Sequence, residues 1–270
     1  MASRQRIPEL DALRGFALLM MVLHHFIYDI RYLLGLDLFA FQETDFFQNV
    51  VRGFFVAVFV VVSGACCQFS RNNLRRALKM GIVSILFSGV MAVVSYVMKE
   101  DMYIFFNVLH LLAVGTFLYG LGEWIRHKRA RHISNDESPK WPDTDKPPSM
   151  RRQILYLSAA LFFMAGELVL DYLPHTDSLW LLPLGRIPTG IPGMSDYLPI
   201  FPWLGFFFVG VYIGVTRYRH RRTLLPNLPT FILKILSPFV WLGQKSLWIY
   251  LLHQPIILCI LLSLRGLGIV

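Results

Sequence analysis

The chain has 270 residues, of which 55% are hydrophobic and only 16% are charged, and its mean hydropathy is +0.52. Because soluble globular domains do not have this composition, the sequence predicts an all-α, polytopic membrane protein. The net charge of +9 is compatible with a nucleic-acid partner, but the basic residues lie in connections between apolar segments and not on one soluble face. We therefore expect membrane lipids, and no nucleic acid, among its partners.

Seven apolar windows are long enough to cross a hydrocarbon core of about 30 Å. They lie near residues 13–33, 50–70, 78–98, 105–125, 153–173, 198–217 and 241–263. The first window has polar residues ahead of it and no small-residue cleavage site behind it, so we expect a retained helix and no removable signal peptide. The predicted fold is a single transmembrane domain over residues 1–270, built as a bundle of about seven helices.

Basic residues occur in alternate connections, which predicts how the helices are oriented. They are found at Arg4, Arg6 and Arg14, in residues 71–79, in 126–131 and in 217–222. By the positive-inside rule, the amino terminus is cytoplasmic and the carboxyl terminus is outside. The cytoplasmic connection near 126–152 is polar and contains four prolines, so we expect a flexible loop there.

Several site classes find no support in the sequence. No internal repeat is found, and no Gly-rich phosphate loop follows a strand, so a nucleotide-binding fold is not expected. The three cysteines, Cys66, Cys67 and Cys259, lie in apolar segments without metal-ligand spacing. No cluster of His, Asp and Glu has a convincing ligand spacing either, so we expect no metal.

Three histidines, His25 (beside His24), His110 and His253, lie inside apolar windows. Ionisable side chains are rare in hydrocarbon unless they have a partner or a task. The predicted topology places all three in the outer half of the membrane, where one cavity could collect them. Their convergence stays open at this point, because one sequence determines neither helix rotation nor neighbour order.

The first predicted helix carries Arg14 and, eleven residues later, His25, which therefore lie on nearly the same face. Asp29 follows His25 by four residues and could orient its ring, as carboxylates orient catalytic imidazoles. The structural alternative is that these residues only form the start of a helix. Asp11 would then interact favourably with the helix dipole, and Arg14 would reach the lipid headgroups.

Two more groups could hold a polar substrate in the membrane. Asn107 and His110 are three residues apart and can share one helix face, although a hydrogen bond between helices would also explain them. His253 precedes Pro255 by two residues, and this proline can kink the helix around a cavity. A structural role for His253 is an equal alternative.

The long outer connection, residues 171–199, carries two charged candidates. Arg186 and Asp196 could bind an acceptor substrate. An ion pair between them that fixes the loop is the alternative. Pro199 and Pro202 predict a stiff return into the membrane.

Five segments in order resemble the bacterial branch of the heparan-α-glucosaminide N-acetyltransferase catalytic domain family. They are LDALRG followed by HHF within residues 10–26, VSG at 62–64, FFNVLHLLAVG at 105–115, SDYLPIFPWLGFFFVGVYIG at 195–214 and LGQKSLWIYLLHQPI at 242–256. The first and last are also similar to the acyltransferase-3 family. Its first helix carries an Arg and, eleven residues on, a His required for acyl transfer.

The resemblance implies a membrane acyltransferase that moves an acetyl or other acyl group from cytoplasmic acyl-CoA to an extracytoplasmic sugar or glycan. The acceptor would be an amine or a hydroxyl, and the location a bacterial inner membrane. Arg14 and His25 match the acyltransferase-3 pair, and His110 matches the family's histidine near the start of the fourth helix. Animal members use a histidine in the first outer loop, whereas residues 34–49 here contain none.

The chemistry expected of such an enzyme needs a general base and a group that stabilises an oxyanion. A neutral His25 could take a proton as the acceptor attacks the thioester, with Asp29 setting the tautomer. Asn107 or His110 could stabilise the oxyanion or hold the acceptor. Arg14 and the basic residues of 71–79 could bind the donor phosphates, or could only set topology.

Two other functional classes fit the same apolar sequence. A multi-pass transporter or flippase for a polar or lipid-linked substrate would also need intramembrane polar groups, although no inverted repeat supports alternating access. A membrane scaffold without enzymatic activity is the third class. It predicts that replacing His25 or His110 changes stability and not activity.

Overall fold

The computed structural model describes residues 6–99, 103–134, 147–170, 172, 178–189, 191, 194 and 196–268. Their regular structure is helical, and the eight α-helices are α1 Pro8–Tyr32, α2 Gly53–Ala65, α3 Asn73–Met98, α4 Val108–Ser134, α5 Met150–Leu170, α6 Trp203–Thr216, α7 Thr230–Gln244 and α8 Ser246–Gly266. Six helical segments are long and apolar enough to span a membrane: α1, Phe46–Phe69 around α2, α3, α4, α5 and α8. The predicted all-α transmembrane fold is confirmed.

Two predicted windows differ from the helices observed. The window at 198–217 contains α6, whose 14 residues extend only about 21 Å, less than a hydrocarbon core. Pro202 stands directly before this helix and limits its extension toward the amino terminus. The window at 241–263 begins inside α7, a helix that the hydropathy pattern did not separate because it includes Lys234 and Pro238.

Part of the connection predicted to be flexible is helical. Helix α4 continues to Ser134, and α5 begins at Met150, so residues 126–134 and 150–152 belong to helices. Residues 135–146 lie outside the described residues, and flexibility there stays a prediction.

The described residues form two compact units. The first contains residues up to Val62 and from Arg222 onward, and in it α1 packs against α7 and α8. At the crossing of α1 and α7, a Cβ on Gly15 would collide with the carbonyl of Phe239, and a Cβ on Gly243 would collide with the carbonyl of Asp11. The two backbones touch directly, as small residues permit between membrane helices.

The start of α1 is fastened to the segment that precedes α7. The buried Glu9 carboxylate accepts hydrogen bonds from the backbone N–H of Leu224 and the hydroxyl of Thr223, each at 2.7 Å. These contacts fix the first turn of α1, and with it the rotation of the helix that carries Arg14, His25 and Asp29.

The second unit, Ser63–Arg221, pairs α3 with α4 and α5 with α6. Close backbone approaches again use glycine, since a Cβ on Gly205 would meet the carbonyl of Ala160 on the neighbouring helix. In the connection before α6, the hydroxyl of Tyr197 donates to the carbonyl of Leu182, and burial raises the pKa of Tyr197 to about 12.

Candidate functional site

His25 and Asp29 form a buried pair on α1, one helical turn apart. Each is 7% exposed, and their spacing of four residues places the carboxylate and the imidazole on the same face of the helix. His253 on α8 brings its ring to within 5.1 Å of the His25 ring, centroid to centroid. The first unit therefore gathers two imidazoles and a carboxylate that the sequence places near opposite ends of the chain.

Hydrogen bonds on α8 orient the residues that face this pair. The Nδ1 atom of His253 lies 2.7 Å from the carbonyl oxygen of Tyr250. Because a carbonyl only accepts, Nδ1 carries the proton, and in the neutral ring Nε2 keeps the lone pair. The next residue, Gln254, donates from Nε2 to Asp29 Oδ2 at 2.8 Å. Gln254 was not among the residues predicted from the sequence, because no local signal reveals a partner on α1.

The segment after α1 contacts His24, which precedes His25 in the same helix. Gln42 is 1% exposed, and its Nε2 donates to the main-chain oxygen of His24 at 2.8 Å and to His24 Nδ1. The His24 ring is thereby oriented with Nδ1 as acceptor. Gln42 was also missed by sequence reasoning, because nothing in its surroundings distinguishes it from an exposed loop residue.

The carboxyl-terminal end of α1 holds the same segment through charges. Arg31 donates to Glu43 at 2.8 Å and to Asp37 at 2.6 Å, and the Tyr32 hydroxyl donates to Glu43 at 2.7 Å. The hydrogen bond from Tyr32, followed by that from Arg31, lowers the pKa of Glu43. Residues 37–43 are thus tied to the helix end a short distance beyond Asp29.

Arg14 lies toward the other end of α1, about 16 Å along the helix from His25. Its guanidinium is 3.8 Å from the Asp11 carboxylate, which also accepts a hydrogen bond from Gln244 at the end of α7. These contacts fit the helix-start alternative. A role for Arg14 in binding the donor stays a prediction.

In the second unit, Asn107 and His110 are joined at the start of α4. Asn107 is fully buried, and its Oδ1 accepts from the backbone N–H groups of Leu109 and His110, as an N-cap does. The same oxygen is 2.9 Å from His110 Nδ1, whereas the Asn107 N–H approaches that nitrogen only at 3.4 Å. The shorter contact assigns the proton to Nδ1, so Nε2 of a neutral His110 keeps the lone pair.

The amide nitrogen of Asn107 is a buried donor. Within the described part of the chain, no acceptor lies within hydrogen-bonding distance of Nδ2. Buried amide groups are normally satisfied, so this atom is suited to bind a polar group of a substrate or a water molecule. Arg186 and Asp196 are half-buried in the same unit, and their predicted substrate contacts stay predictions, as does a cavity shared by all three histidines.

A second buried polar cluster was not predicted. Glu123 on α4 is 4% exposed and accepts from Arg126 and Arg152, at 2.8 and 3.0 Å, and from the Tyr156 hydroxyl at 2.8 Å. The Tyr119 hydroxyl lies nearby and donates to Gln68. The sequence signal was an acidic residue in an apolar helix, next to arginines that were interpreted only as determinants of topology.

Metal ligands are not clustered in the part of the chain that the structure describes: no group of three or more His, Cys, Asp or Glu could hold an ion there.

The family model described as Heparan-alpha-glucosaminide N-acetyltransferase, catalytic, matches residues 6–130 and 147–255. These ranges cover most of the chain. No curated protein and no solved structure matches this chain.

Proposed function

Because the chain belongs to the heparan-α-glucosaminide N-acetyltransferase catalytic family, as the resemblance predicted, we propose that it transfers an acetyl group from acetyl-CoA to a sugar or glycan. The family and the six membrane-spanning helices support a multi-pass membrane acetyltransferase. The proposal adds that the donor comes from the cytoplasm, that the acceptor is extracytoplasmic and that the membrane is a bacterial inner membrane.

The observation that carries the assignment of residues is the buried His25–Asp29 pair. In the proposed reaction, the acceptor amine or hydroxyl attacks the thioester carbonyl, and its proton passes to the neutral His25. The new bond forms between the acceptor atom and the acetyl carbon, and the carbon–sulfur bond breaks. The departing thiolate takes the proton back from the imidazolium, so the enzyme returns to its starting state.

Asp29 supports this step by stabilising the imidazolium that forms. His253 faces His25 and contributes a ring nitrogen that can accept from the substrate, so we assign it to acceptor binding. Arg14 is assigned to the donor phosphates, which guanidinium groups bind well.

Asn107 and His110 supply the second part of the proposed chemistry. The buried Nδ2 of Asn107 is a donor suited to an oxyanion, and Nε2 of His110 can accept from a hydroxyl. Arg186 and Asp196 are assigned to binding of the glycan. The roles of Asn107 and His110 are argued from contacts within the second unit, and those of Arg186 and Asp196 from the sequence.

The test is transfer from radiolabelled acetyl-CoA to glucosamine by the full chain purified in detergent. We expect acetylated product that depends on His25, and binding of acetyl-CoA without acceptor. A folded protein that neither binds nor consumes acetyl-CoA contradicts the proposal. Uptake of a polar solute into proteoliposomes by that same sample would instead support the transporter class.

A further inference from the structure

The Asp29 carboxylate lies within a membrane-spanning helix and is 7% exposed. A carboxylate in such surroundings needs hydrogen-bond donors, because its loss of hydration is costly. Gln254 provides one, from Nε2 to Oδ2 at 2.8 Å. The contact joins α1 to α8 at the level of the His25–Asp29 pair.

Gln254 follows His253 in sequence, so one turn of α8 contributes two groups to the cluster. The His253 ring faces His25, while the Gln254 amide engages Asp29. On α1, the corresponding residues are four apart and share a face. Each residue of the α1 pair thus has its own contact on α8.

We infer that Gln254 is a positioning residue for the reaction: it fixes the rotation of the Asp29 carboxylate so that the other oxygen is directed to His25. The inference rests on the proposed function, since Gln254 acts through the general base His25. An Asp29 side chain without this donor can rotate away from the imidazole, and the imidazolium formed during transfer then loses its counter-charge. The chemical step is then slower, while the binding of either substrate is unchanged.

The experiment compares steady-state acetyl transfer from acetyl-CoA to glucosamine by the wild-type chain, Gln254→Leu and Gln254→Met. We expect kcat to fall about tenfold or more, the effect of removing one hydrogen bond to a charged group, with the KM for acetyl-CoA within about twofold. Gln153→Leu on α5, which also replaces a membrane-helix glutamine, is the matched control and should leave both constants unchanged.

The Asp29→Asn background decides whether Gln254 acts through Asp29. There, Gln254→Leu should lower kcat by less than about twofold, because coupled residues are not additive. A full tenfold loss in that background, or a loss confined to KM, overturns the inference.

Thermal unfolding of the wild-type chain, Gln254→Leu, Asp29→Leu and their double variant separates this inference from the proposed function. We expect the Tm shifts of Gln254→Leu and Asp29→Leu to be non-additive, because each substitution removes the same hydrogen bond. Additive shifts overturn the contact itself. A wild-type chain without any acetyl transfer overturns the proposed function, and with it the positioning role, even where the Tm shifts are coupled.

Discussion

The imidazole rings of His25 and His253 lie 5.1 Å apart, although one belongs to the first helix and the other to the last. Only His25 has a carboxylate one helical turn away on its own helix, whereas His253 Nδ1 is engaged by the carbonyl of Tyr250. This difference supports the proposed roles, with His25 as the base and His253 as a binding group.

We therefore predict different kinetic effects for the two histidines. His25→Gln should lower kcat at least about 100-fold, the usual contribution of a general base. His253→Gln should mainly raise the KM for the acceptor. Steady-state kinetics with acetyl-CoA and glucosamine measure both constants, and equal losses of kcat in the two variants would contradict the assignment.

Asn107 is predicted to act on the rate through its buried amide donor. Asn107→Asp keeps the Oδ1 cap of α4 but removes the Nδ2 donor, so kcat should fall about 10² to 10³-fold, as when an oxyanion donor is lost. Thermal unfolding checks that the cap survives. Unchanged kcat in a folded variant would show that Nδ2 does not contact the reacting group.

The buried Glu123 network predicts a strong and specific effect on stability. Arg152→Gln removes one partner of a carboxylate that is 4% exposed, which should lower the free energy of unfolding by about 3 kcal/mol. The neighbouring Arg151 is exposed, so Arg151→Gln should change the free energy of unfolding by less than about 0.5 kcal/mol. Similar Tm shifts for the two variants, measured in one detergent, would argue against the network as a structural element.

The glycine contact between α1 and α7 predicts that even one methyl group is too large. Gly15→Ala places a Cβ against the backbone of Phe239 and Gly243, and overpacking of this kind lowers stability by about 1 to 3 kcal/mol. Gly81→Ala on α3 meets no atom within 4 Å and should be neutral or stabilising. Thermal unfolding of the two alanine variants makes the comparison, and a tolerated Gly15→Ala would exclude the close crossing.

Acid should release the segment around Glu43 from the end of α1. The pKa of Glu43 is lower in the folded chain than its ordinary value of 4.5, so its contribution to stability is complete above that pH. It is lost as the pH falls through the folded pKa, when the carboxyl is protonated and no longer pairs with Arg31. Hydrogen exchange of residues 37–43 against pH measures the release.

The Glu43→Gln variant provides the matching test. It should show the fast exchange already at pH 6, whereas Asp45→Asn, at an exposed acid of the same segment, should behave as wild type. A pH profile that is the same in Glu43→Gln and wild type would assign the release to another group.

The sequence by itself determined the class of the protein and its short-range pairs. Composition and apolar length predict membrane helices, and the 3.6-residue period places His25 with Asp29 and Asn107 with His110. Those contacts need only a helix, so local spacing suffices. The five ordered segments likewise predicted the family that the comparison found.

Tertiary structure alone decided the contacts between helices. The bonds of Gln254 to Asp29, Gln42 to His24 and Arg152 to Glu123 depend on which helices are neighbours and on how each is rotated. Hydropathy carries no such information, because lipid-facing and helix-facing apolar side chains look alike in a membrane sequence. Helix α7 was missed for a related reason, since Lys234 and Pro238 interrupt its apolar signal, while its glycine contact with α1 holds it in place.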